Sequence, residues 1–292
     1  MAQASISLTA SMRSNLSSLK IIQSQMDKTQ EKLSTGKKVN SAIDNASSYY
    51  QARSLTNRAA DLDSLLDGMG QGIQTIQAAN EGIEAITAFV DQLKSVATSA
   101  AALDPEAEGY GDELTKYQNQ YNAILTEIAT IAKDSGYQGV NLLQDNKLTV
   151  MFNESRSHSL VIQGQDITAG MTTAAGTDNA EAGFAWNETS GVGEAAWADA
   201  ADVNKALDAI VDVTNYLRGY ATELGNNFSI IQTRQDFTES LIDVLETGAD
   251  NFVLADMNEE SANYLALQTR QQLAVNSLSL ASQSAQSVLK LF

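Results

Sequence analysis

The sequence predicts a mostly α fold: long antiparallel coiled-coil-like helices formed by both chain ends, with a small β-hairpin and loop insertion in the middle. Three observations carry that prediction. Apolar residues recur in steps of three and four over stretches far longer than an ordinary globular helix. Proline occurs once in 292 residues, so little interrupts those stretches. Between residues 148 and 162 the apolar period shortens to two, which suits a strand pair and not a helix.

The elements follow in chain order. Met12, Leu19, Met26 and Leu33 lie seven apart, with Leu16 and Ile22 between them, and make the first seam. Gly36 and a polar cluster within residues 34–43 end it. A second run goes from Leu62 through Met69, Ile76, Ile83 and Val90 to Ala97. Pro105, among Asp104, Gly109 and Gly111, marks the next turn, and Asp112 is the expected N-cap of the third helix. That helix carries Leu114, Tyr117, Tyr121, Ile124, Ile128 and Ile131. Leu148, Val150 and Phe152, then Leu160 and Ile162, alternate around a loop at residues 153–158 and read as a β-hairpin. Residues 163–202 are rich in Gly, Ala, Thr and Ser, hold seven acidic and no basic side chains, and are expected to be exposed and loosely structured. From Val203 to Phe252, alternate steps of four and three visit fifteen positions, all apolar except Thr214, Gln235 and Thr238. A last seam runs Tyr264, Leu267, Gln271, Ala274, Leu278, Ala281, Ala285, Val288, Phe292. A helix of about fifty residues is a rod of roughly 75 Å, and such rods pack side by side or against other chains.

Charge is divided along the chain. The formal net charge is −18, which disfavours nucleic acid as a partner. Residues 1–60 hold eight basic and three acidic side chains, residues 61–260 eight and thirty-three, and residues 261–292 two and none. The two ends thus resemble each other and differ from the acidic middle. Alone, each terminal helix buries too little apolar surface to offset the entropy of ordering it, so both ends are expected to be ordered only against neighbours. A chain whose extremities need partners is suited to polymerise with copies of itself.

Several chemistries are excluded or disfavoured. Cysteine is absent and His158 is the sole histidine, which removes disulfides, cysteine–zinc sites and histidine cages. No stretch approaches a membrane span, and the N-terminal residues lack the basic start and apolar block of a cleaved signal peptide. Gly68, Gly70 and Gly72 imitate a phosphate loop without its preceding strand or following Lys–Ser/Thr; they read either as soft points in the helix or as sites of close helix approach. Glu259 and Glu260 suit compensation of a helix dipole. Met12, Met26 and Met69 belong to the apolar stripe. Asn153 and Asn187 match a glycosylation pattern by coincidence. Residues 145–202 supply no nucleophile with a base, so neither an enzyme nor a cofactor is expected.

Residues 34–46, STGKKVNSAIDNA, resemble the flagellin turn LSxGxxINxAxDDAA: Leu33, Gly36, Asn40, Ala42, Asp44 and Ala46 match, and Asn45 departs from the second acidic position. Arg53 falls where that family has an arginine. Residues 72–86, residues 139–143 (GVNLL) and the C-terminal MNEESANYLALQTRQQLA are likewise similar to bacterial flagellin segments. The resemblance covers both ends and skips the middle. It implies a filament subunit for swimming motility, exported without a cleaved signal through the flagellar type III apparatus and assembled by coupled folding and polymerisation. It further implies an extracellular location, and as partners copies of the chain itself, an export chaperone, and hook-junction and cap proteins. Residues 1–43 would form the N-terminal inner-tube helix and turn, 44–145 outer-tube helices, 146–202 the exposed hairpin and variable segment, 203–255 the outer-tube return helix and 256–292 the C-terminal inner-tube helix. The self-assembly seam would comprise Met12, Leu16, Leu19, Ile22, Met26, Leu33, Leu267, Leu278, Val288 and Phe292. The positions equivalent to the family's Toll-like-receptor contacts are Gln92, Val96 and Gln120, where responders carry Arg, Leu and Glu, so weak or absent signalling is expected. The rival readings are a hook–filament junction protein and a filament-borne adhesin acting through residues 146–202, with Trp186 or Trp197 stacking on a glycan.

Overall fold

A computed structural model describes residues 10–175, 185–187 and 192–289. In order, these form α1 (Ala10–Thr35), α2 (Ala46–Ala101), α3 (Tyr110–Asp134), β1 (Lys147–Met151), β2 (Ser159–Gln163), α4 (Ile167–Ala175), β3 (Ala185–Asn187), β4 (Val192–Glu194), α5 (Ala200–Val253) and α6 (Met257–Leu289). Helices α2 and α5 run 56 and 54 residues without a break, as their unpunctuated seams require.

The chain divides into two compact units, Met1–Ala59 with Asp243–Phe292, and Ala60–Ile242. The division falls inside α2 and α5, whereas the sequence places boundaries at the turns near residues 43 and 255. The reason is packing: Ala52 and Ala59 at the start of α2 are buried, as are Leu245 and Ala249 at the end of α5. A Cβ at Gly248 would lie 3.4 Å from Leu55 Cδ1, so the start of α2 and the end of α5 pack on each other.

In the unit formed by residues 60–242, the seam positions of α2, α3 and α5 make one core. Of the fifteen α5 positions, only Phe252 lies exposed. The two threonines among the polar exceptions are accommodated because their hydroxyls donate to the preceding turn, Thr214 to Ile210 O at 2.7 Å and Thr238 to Arg234 O at 2.8 Å. On α3 the buried line is Leu114, Tyr121, Leu125, Ile128 and Ala132, so Ile124 and Ile131 sit at its flank.

The hairpin forms, with Leu148 opposite Ile162 and Val150 opposite Leu160; His158 O accepts from Phe152 N, so the loop is one residue shorter than the expected 153–158. Val150 and Ile162 turn into the core. Gly72 permits this, because a Cβ there would lie 2.7 Å from Val150 Cγ2. Cβ atoms at Gly68 and Gly70 would meet nothing within 4 Å, so of the three glycines only Gly72 marks a close approach.

Three expectations need correction. Asp112 lies in the first turn of α3, and the cap is Gly109, held at φ 89 where a side chain would be strained. Residues 163–202 are not uniformly loose: Asp166 Oδ1 caps α4 by accepting from Thr168 N and Ala169 N, and Ile167, Met171 and Ala175 are buried on one face of that helix. Trp197 is no exposed platform; it is 6% exposed and packs on Tyr121 with ring centroids 4.9 Å apart. Its segment is pinned by Asn122 Oδ1, which accepts from Ala195 N at 2.7 Å, and by Gln118 Nε2, which donates to Ala195 O at 2.7 Å. The side chain of Trp186 lies outside the described residues.

Candidate functional site

In the unit formed by the two chain ends, α1 and α6 pack together as an antiparallel pair. Lys32 Nζ donates to Glu260 Oε1 at 2.7 Å, and Gln271 Nε2 donates to Gln23 Oε1 at 2.7 Å. As the residue number falls along α1 it rises along α6, which sets the antiparallel sense.

Seven of the ten seam residues expected from the sequence lie half-buried or buried on α1 and α6. Met12, Leu19, Ile22, Met26 and Leu33 are half-buried on α1, with Thr29 buried between them. On α6, Tyr264, Gln271, Ala274, Leu278 and Ala281 are half-buried and Leu267 is buried. Leu16 lies beside the seam and is 40% exposed. Phe292 and the side chain of Val288 lie outside the described residues.

A second, outward set was not read from the sequence. Leu265, Leu273 and Leu280 are 61–65% exposed, and Ile21 is 56% exposed. At 3.6 residues per turn the three leucines share one face of α6, within about 80° of each other and turned away from the seam. Ile21 likewise points away from the seam of α1. Spacing of seven and eight was the available signal; the neighbouring, more regular heptad masked it.

The turn after α1 is built from its matching residues. Gly36 adopts φ 71 and donates its N–H to Lys32 O at 2.8 Å, ending α1 with the left-handed residue that glycine tolerates best. Asp44 Oδ2 accepts from Asn40 N at 3.1 Å, Ser41 N at 3.0 Å and Ser41 Oγ at 3.2 Å. These donors, Ser41 N–H foremost, hold its carboxyl below the ordinary aspartate value. Asn40 Nδ2 reaches back to Thr35 Oγ1 at 3.1 Å. Asn45, which departs from the family pattern, caps α2 by accepting from Ser48 N at 3.1 Å, so the amide keeps the cap that a carboxylate would make. The turn is stitched to the break between α5 and α6: Lys38 N donates to Val253 O at 2.7 Å and Ala255 N to Gly36 O at 2.9 Å. Arg53 lies exposed on α2, with no hydrogen bond or ion pair among the described residues.

Gln92, Val96 and Gln120 lie in the other unit. Gln92 and Gln120 are exposed, on α2 and α3 respectively, and Val96 is half-buried against the core. No described helix is long and apolar enough to cross a membrane.

Comparison with known proteins accords with this arrangement. The family described as "Bacterial flagellin N-terminal helical region" matches residues 6–148, and "Bacterial flagellin C-terminal helical region" matches residues 207–292. A flagellin of Brucella melitensis biotype 1 is 31% identical over 294 residues, covering 99% of this chain and 99% of its own. The chain belongs to the bacterial flagellin family. Flagellin FljK of Caulobacter vibrioides is 28% identical, with 100% of each chain covered. Among solved structures, Bacillus cereus flagellin matches with a TM-score of 0.46 at 10% identity, over 59% of this chain and 88% of that one. Flagellins are structural proteins, and as a member this chain is a self-polymerising subunit of the extracellular flagellar filament.

Proposed function

We propose that this filament subunit divides its terminal hairpin between two tasks. The seam residues Met12, Leu19, Ile22, Met26, Leu33, Leu267 and Leu278 join α1 to α6 within each copy. The outer face, Ile21 with Leu265, Leu273 and Leu280, packs against neighbouring copies. The observation that carries this reading is the exposure of three leucines on one face of α6. Each large side chain left in water forgoes roughly 1.5–3 kcal/mol of burial, so the free subunit gains stability only by assembling. Polymerisation and consolidation of the hairpin are then one event.

The rigid turn at Gly36, Asn40 and Asp44 sets how the hairpin leaves α2, and Arg53 beyond it is available to a neighbour. The chain acts structurally and not as an enzyme. By family resemblance an export chaperone covers the apolar ends before assembly, and hook-junction and cap proteins meet the same ends at the limits of the filament. Gln92, Val96 and Gln120 in place of the responders' residues predict weak or absent Toll-like-receptor signalling, which a reporter-cell assay on purified monomer checks.

The test compares the full chain with L265D/L273D/L280D by electron microscopy after salt-induced polymerisation. The wild type forms fibres, and the triple variant, with unchanged helix content by circular dichroism, stays monomeric. Fibres from the triple variant at the wild-type rate overturn the assignment of the outer face. A chain lacking residues 264–292 is expected to form none.

A further inference from the structure

Two surfaces outside the terminal seam complement each other. Just after the turn, Ile43 is 96% exposed and Tyr50 is 64% exposed. Both are presented on ordered backbone: Asp44 fixes the turn beneath Ile43, and the Tyr50 ring stands in an edge contact with Tyr49, centroids 5.6 Å apart. Arg53 follows within one helical turn of Tyr50 and projects its charge unpaired among the described residues. Ile43 and Tyr50 are thus two exposed apolar side chains on ordered backbone, with a cation one helical turn beyond Tyr50, an arrangement that lowers the entropy lost on docking.

The matching surface lies in the unit of residues 60–242. A groove of about 680 Å³ opens between α2 and α5. Its floor is Ile76, Leu224 and Phe228, and Gln77 and Glu81 stand on its α2 side. Gly225 widens it, since a Cβ there would meet nothing within 4 Å. Glu81 is exposed and belongs to a unit with twenty-seven acidic and eight basic side chains, whereas residues 1–59 hold eight basic and three acidic ones.

We propose that Ile43 and Tyr50 of one copy seat in this groove of a second copy, with Arg53 pairing to Glu81 across the contact. The proposal rests on the reading of the chain as self-assembling and adds which surfaces meet. The apolar pair and the groove are different patches of the same chain, so every copy added leaves one of each free. Such a heterologous contact is head-to-tail, not isologous, and propagates as an open helix wherever its rotation does not close a ring. Apolar anchors in a pocket supply the binding energy, and the flanking charge pair supplies register and on-rate.

A charge-swap series tests it. Arg53→Glu, Glu81→Arg and the double variant are each purified as full chains, checked for helix content by circular dichroism, and elongated from sheared seeds of their own kind. Each single variant is expected to elongate about tenfold more slowly than the wild type, and the double variant within about twofold of it. Single variants that elongate normally overturn the contact, and so does a double variant as slow as the singles. Failure of the wild type to elongate is a different result, which overturns the self-assembly reading itself.

Discussion

Lys32 and Glu260, 228 residues apart in sequence, form an ion pair of 2.7 Å that ties the last turn of α1 to the first turn of α6. The Glu260 side chain is 13% exposed and that of Lys32 36% exposed, so the pair is only partly shielded from solvent. Glu260 also sits where a negative charge favours the helix dipole. A double-mutant cycle with Lys32→Ala and Glu260→Ala is expected to give a coupling of about 0.5–1 kcal/mol in thermal or urea unfolding. Added salt should reduce it. A coupling indistinguishable from zero at low salt would mean the two helices are held by the seam alone.

Asp44 makes the turn acid-sensitive. Its carboxylate accepts from the Asn40 and Ser41 backbone, and those bonds lower its folded-state value relative to the unfolded chain. A depressed carboxyl contributes stability that is present above the unfolded value, about 3.9, and is lost as pH falls through the lower folded value. The melting-temperature gap between wild type and Asp44→Ala should therefore be full at neutral pH and narrow on acidification below about pH 4. A gap that is constant down to pH 2 would show that the carboxylate's charge plays no part in the turn.

Gly72 is expected to be the least replaceable of its three-glycine group. A Cβ at this position would press on Val150 at 2.7 Å, and valine in a strand has little freedom to yield. Gly72→Ala should destabilise by about 1–3 kcal/mol despite the better helix propensity of alanine. Adding Val150→Ala should restore part of that loss. Gly68→Ala and Gly70→Ala, which meet open space, should be neutral or stabilising by up to about 1 kcal/mol. Equal effects at all three positions would remove the close-approach explanation.

Periodicity made the long helices and the existence of the strand pair legible, because both depend on which face each side chain buries. The register was not: a loop at residues 153–158 would set Leu148 opposite Gln163, whereas Leu148 pairs with Ile162 and Phe152 N donates to His158 O at 3.0 Å, inside the expected loop. What periodicity could not supply was the set of polar contacts that end and join elements. Asn141 is an example. It is buried within the GVNLL segment, where Nδ2 donates to Ala132 O at 2.8 Å and Lys133 O at 3.0 Å, satisfying carbonyls left open at the end of α3. Asp256 likewise caps α6 by accepting from Asn258 N and Glu259 N. The burial of Trp197 was also hidden, since its partner Tyr121 lies 76 residues earlier and no local pattern links them. On the terminal helices the seam was readable and the outer face was not, because Leu265, Leu273 and Leu280 follow no strict repeat.

Tyr220 should set an alkaline limit on the unit of residues 60–242. Its hydroxyl donates to Leu142 O at 2.7 Å, and burial pushes its ionisation up to about 12. A raised acid binds its proton more tightly when folded, so its contribution is complete below the unfolded value of about 10 and is lost as pH rises toward the folded one. Between these limits the wild type should lose stability faster than Tyr220→Phe. Below pH 9 neither protein loses stability through this position, and the wild type should be the more stable, because the phenylalanine lacks the hydrogen bond. Unfolding curves at pH 8, 10 and 11 measure the difference. Parallel losses in the two proteins would assign the alkaline limit to other groups, Tyr121 first among them, since burial raises its ionisation further.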